Sequence, residues 1–191
     1  MSCVFATNNI VILALISGDV VRFDLAANKI TASISTGTSS ISDMSISEDG
    51  KVVYVGGESG IVSVMDAKDL RIFARYQGGN VDNIYKLDTK NSFVLTAGQD
   101  RRAILYNKNG KVARRWDGSF LIYSAALSPS AKSAALTLDE QNNITVVDTG
   151  TGTVRAVAKG HFSTLNRIVF FDENSFASCA DENKVYIWRT K

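Results

Sequence analysis

The 191-residue chain is 45% hydrophobic and 21% charged, with a net charge of +2 and a single His. That composition allows a buried core, and the near-neutral charge, without long runs of one sign, argues against a nucleic-acid field. Cys3 and Cys179 have no paired spacing; this excludes a disulfide framework or a zinc knuckle, and both read as small core residues.

In chain order, MSCVFAT at the start is expected as a first strand. The longest apolar run, IVILALI from Ile10 to Ile16, follows it. It is far shorter than the ~20 residues that cross a bilayer, and a signal peptide would need basic residues before it. It is expected as a buried strand. No membrane partner and a cytoplasmic location are the resulting expectations.

The next signal is a period. Alternating apolar stretches end at Asp24 (VVRFD), Asp66 (VSVMD), Asn107 (AILYN), Asp148 (ITVVD) and Arg189 (VYIWR), with separations of 42, 41, 41 and 41 residues. Each unit reads as four short strands joined by turns. In the third they are NIYKL from Asn83, SFVLTAG from Ser92, AILYN from Ala103 and KVARRW from Lys111. TGTGT at 149–153 lacks the Lys-Ser/Thr and the helix of a phosphate loop, and reads as the turn between the third and fourth strands of its unit.

Repeated four-stranded antiparallel units of this length are the blades of a β-propeller, so the expected fold is all-β. The expected units are 1–37, 38–79, 80–119, 120–160 and 161–191, the last without its outer strand, giving four and a half to five blades in one partial propeller.

On this pattern the chain resembles the WD-repeat (WD40) propeller family. The last unit carries the likeness best, with Gly160–His161, FASCADENK from Phe176, and Trp188. The resemblance implies a structural hydrogen-bonded relay of His161, Ser178, Trp188 and an acid, either Asp181 or Glu182. The other units are divergent: the Trp position holds Phe23, Met65, Tyr106 and Val147, and the His position holds Gly37, Gly79 and Phe120. A buried His needs partners for both ring nitrogens, so His161 is expected to be structural.

Strand counting leaves the fifth unit with three strands, ending NKVYIWRTK. Three explanations stay open: a C-terminal fragment or truncated form of a larger propeller, a five-bladed ring with an exposed edge, or two chains that complete one another.

Propellers host both catalysis and binding. Asp43 and Asp82 lie near first strands and are the only candidates for a channel-mouth carboxylate or metal site of a hydrolase or lyase. Each reads more simply as a loop or turn-capping residue. The sequence therefore favours a non-enzymatic scaffold without cofactor or metal, binding proteins or peptides through its loops. The candidate contacts are Asn80, Arg101, Arg102, Phe120 and Phe162, of the Arg and aromatic types that dominate interfaces or in the loops that present them. Self-association through the open edge of the last unit is a further expected contact. VARRWDG from Val112 is a weak pointer to an RNA-associated scaffold, with Arg114 and Trp116 on one face and Arg115 on the other.

Overall fold

The structure is a computed structural model describing residues 2–37 and 40–190. Among these residues there are nineteen strands and no helix. They form five antiparallel sheets in simple chain order. The first holds β1 (Ser2–Thr7), β2 (Ile10–Ala14), β3 (Asp19–Asp24) and β4 (Lys29–Ser35). The second holds β5 (Ile41–Ile46), β6 (Val52–Gly57), β7 (Val62–Asp66) and β8 (Ile72–Tyr76). The third holds β9 (Ile84–Lys90), β10 (Phe93–Gly98), β11 (Arg102–Tyr106) and β12 (Val112–Asp117). The fourth holds β13 (Ala125–Leu127), β14 (Ser133–Leu136), β15 (Ile144–Asp148) and β16 (Val154–Ala158). The fifth has three strands, β17 (Leu165–Phe170), β18 (Ser175–Ala180) and β19 (Val185–Arg189).

The strand count per sheet follows the sequence period. Alternation puts every second side chain on one face of its sheet, and each internal sheet buries both faces. Leu95, Ala97 and Leu105 of the third sheet pack on Leu127, Leu136 and Val147 of the fourth, while Ile84, Val94 and Tyr106 pack back on Val62 and Val64 of the second. Ile10–Ala14 is a buried strand as expected, although Ile16 beyond it is exposed. Cys3 is exposed and Cys179 half-buried, so the expectation of two core cysteines is corrected. They lie in the first and last sheets, on strand faces with no neighbouring sheet packed over them.

First strands run side by side through the series: β1 meets β5, β5 meets β9, β9 meets β13 and β13 meets β17. Carboxylates lace them together. Asp43 accepts from the Leu87 N–H (3.0 Å) and the Ser2 hydroxyl (3.1 Å), and Asp88 accepts from the Leu127 N–H (2.8 Å). Burial raises the Asp88 carboxyl pKa, and the Leu127 N–H offsets part of that shift. The series is not closed: the last sheet turns Val169, Val185 and Ile187 to solvent.

Candidate functional site

The loops that precede first strands and the turns between second and third strands gather at one end of the sheets. Two hydrogen-bond relays hold them. In the fifth sheet, Trp188 Nε1–H donates to Ser178 Oγ (2.7 Å), which is 2.6 Å from His161 Nε2. His161 Nδ1 in turn lies 2.9 Å from Glu182 Oε1. Trp can only donate and a carboxylate can only accept, so a neutral imidazole here carries its proton on Nδ1. The Phe162 N–H closes the loop onto Glu182 Oε2 (3.0 Å). The acid of the relay is thus Glu182, and the alternative Asp181 instead accepts from Asn166 (2.7 Å). Burial by itself would raise the Glu182 carboxyl, but the Phe162 N–H and the imidazole outweigh it and hold the pKa below the ordinary 4.5.

The same device occurs two periods earlier without a His. Thr96 Oγ1–H donates to Asn80 Oδ1 (2.5 Å), and Asn80 Nδ2–H donates to Asp100 Oδ1 (3.0 Å). Asp100 Oδ2 then accepts from the Val81 N–H (2.9 Å). The side chain in the His place is therefore Asn80, one residue past the expected Gly79. Asn80 is only 4% exposed. Its expected role as a partner contact is corrected: the amide is spent inside the molecule. An amide offers the same donor and acceptor as a neutral imidazole, and that equivalence could have found it in the sequence.

The remaining candidates divide. Arg102 is tied down, donating to the Gly79 carbonyl (3.3 Å) and lying 3.9 Å from Asp100. Arg101 is exposed and sits at φ +61°, where the first and second sheets place Gly18 and Gly60. A side chain in that left-handed region costs roughly 1 kcal/mol relative to Gly. Phe120 is 41% exposed and forms a cluster with Tyr123, ring centroids 6.3 Å apart. Tyr123 stacks on Tyr85 at 5.3 Å with planes 9° apart, and the Tyr85 hydroxyl donates to Gln99 (2.8 Å). Val81, 68% exposed, lies in the loop before β9. Tyr85 and Tyr123 escaped sequence reading because they look like ordinary strand-alternation residues. Phe162 is exposed under the Lys184 ammonium (5.6 Å), at the neighbouring relay.

The acids considered for catalysis are otherwise engaged. Asp43 is buried and takes the Leu87 and Ser2 donors with Lys86 at 3.9 Å, and Asp82 accepts from the Asn83 N–H. Among the described residues no group of three or more His, Cys, Asp or Glu side chains is placed to hold a metal. The VARRWDG side chains pack on the fourth sheet: Arg114 donates to the Thr149 and Gly150 carbonyls and Trp116 to the Gly152 carbonyl, while Arg115 pairs with Asp117. No protein-family model matches the chain, and no curated protein matches it.

Proposed function

We propose that the chain is a divergent WD-repeat-like propeller, whole or partial, serving as a non-catalytic scaffold for protein or peptide partners. Binding runs through the loop end of the third and fourth sheets, around Arg101, Phe120, Tyr85 and Tyr123. One observation carries this reading: the half-buried Tyr85–Tyr123 stack, with the exposed Phe120 against it, lies at the loop end that also holds Arg101 in a backbone conformation where the first two sheets use Gly and the fourth uses Asn142. Backbone strain without a packing reward is a mark of function, and Arg and Tyr are the usual anchors of interfaces. Rigid support comes from the Asn80 relay beneath, so the loops meet a partner with little ordering cost.

Bait protein expressed in its native source, with co-purifying proteins quantified, tests the reading. The variant Arg101→Gly is expected to lose its partners while keeping its melting temperature. Recovery of the same partners in the same amounts would overturn it. Self-association through the last sheet belongs to the same reading and is supported by the exposed Val169, Val185 and Ile187. Sedimentation that stays monomeric at every concentration would remove that part.

A further inference from the structure

The repeat exposes one residue that breaks its own pattern. Counting by the period, Arg22 in β3 corresponds to Val64, Leu105, Val146 and Ile187. Val64, Leu105 and Val146 are the apolar side chains with which their third strands face the following sheet, while Ile187 of the last sheet faces solvent. Arg22 occupies that place on the face of the first sheet that packs against the second. Its Nη1 donates to Thr31 Oγ1 (2.6 Å), but its Nε is buried with no hydrogen-bond partner. Burying guanidinium groups without full partners is costly, so an apolar residue would serve packing better.

The third sheet shows how such a cation is satisfied. There the Arg stands on the outer strand: Arg114 is paired with Leu105, and it caps the Thr149 and Gly150 carbonyls in the next sheet's turn. In the first sheet the pair is reversed, Arg22 against Ala32. Between the third and fourth sheets a groove of about 250 Å³ is lined by Leu105, Arg114 and the Thr149–Gly150 turn. The equivalent groove between the first and second sheets is larger, about 400 Å³, with Ala6, Ile10 and Ala67 along it, and with Arg22, Lys51 and Lys68 at its charged side. Asp66 is the acid in the groove, its Oδ1 already accepting the Lys68 N–H (2.7 Å). Lys51 also pairs with Asp49 at the surface (3.4 Å). Three cations against one lining acid leave a positive site, large enough for an anion with an apolar body attached.

We infer that this groove between the first two sheets binds a phosphate group carried on a small apolar molecule, with Arg22 as its central contact. A guanidinium has free donors in a planar fork suited to phosphate oxygens, and the two lysines add charge without fixed geometry.

Phenyl phosphate titrated into the intact protein, followed by calorimetry, tests the inference, with inorganic phosphate and phenol as separate arms. Saturable binding of phenyl phosphate is expected, weaker for inorganic phosphate and absent for phenol. Arg22→Val installs the residue that two sister sheets carry, so it is expected to fold with an unchanged or higher melting temperature and to weaken binding by roughly tenfold or more. Lys68→Gln is expected to weaken it by a smaller factor. Equal binding by the folded Arg22→Val protein, or no saturable binding by the wild type, would overturn the assignment.

Discussion

The third and fifth sheets solve one problem with two chemistries. Each must pin the loop before its first strand to the turn between its second and third. The fifth does so by Trp188, Ser178, His161 and Glu182, and the third by Thr96, Asn80 and Asp100. Protons are donated in the same direction in both, toward the carboxylate. What the fold requires is therefore a donor–acceptor pair in the loop, and His is one way to supply it. The two sheets differ in setting: β11 is buried along most of its length, while alternate residues of β19 face solvent.

That difference ranks the outcomes. Asn80→Ala is expected to do most damage, about 3 kcal/mol, because it strips one donor from the buried Asp100 carboxylate, one from the Arg102 carbonyl and an acceptor from Thr96. Denaturant unfolding measures it. His161→Ala removes the matching group from a sheet with one bare face, and about 1–2 kcal/mol is expected. His161→Asn, which gives the fifth sheet the third sheet's chemistry, is expected to recover most of that loss. An Asn variant no better than Ala would break the equivalence.

Acid separates the sheets further. Because the folded Glu182 pKa lies below 4.5, its contribution to stability is complete above the unfolded value. It is lost as pH falls through the lower folded value. Hydrogen exchange across that window is expected to show the 161–182 loops opening in the wild type, with the change blunted in Glu182→Gln. Arg101→Gly relieves a left-handed side chain and is expected to leave stability equal or raise it by up to about 1 kcal/mol. The smallest effect belongs to Tyr106, the counterpart of Trp188: its buried hydroxyl lies against the Gly79–Asn80 backbone without a well-formed hydrogen bond. Tyr106→Phe is expected to change stability by less than about 0.5 kcal/mol, whereas Trp188→Phe loses a bond to Ser178.

The strand pattern was legible because it is a statement about alternation and period, which the chain writes plainly at Asp24, Asp66, Asn107, Asp148 and Arg189. The His161 relay was legible only through the resemblance of the last unit to the WD-repeat pattern, which left its acid open between Asp181 and Glu182. Asn80 was misread as a surface contact because a polar loop residue gives no local sign of burial; that depends on Tyr106 and Ile104, far along the chain, closing around Gly79 beside it. The stacking of Tyr85 on Tyr123 was hidden too, since it joins two sheets whose register no single strand encodes. The period alone sets Arg22 opposite Val64, Leu105 and Val146, but that its place faces the second sheet was hidden until the sheets were seen packed together.

One measurement bears most directly on the loop end as a binding surface: quantitative co-purification from the native source with Arg101→Gly, whose fold is expected to be as stable as the wild type. The expected result is a loss of partners of roughly tenfold or more, at an equal or higher melting temperature. Undiminished partner recovery by this variant, at full stability, would contradict it.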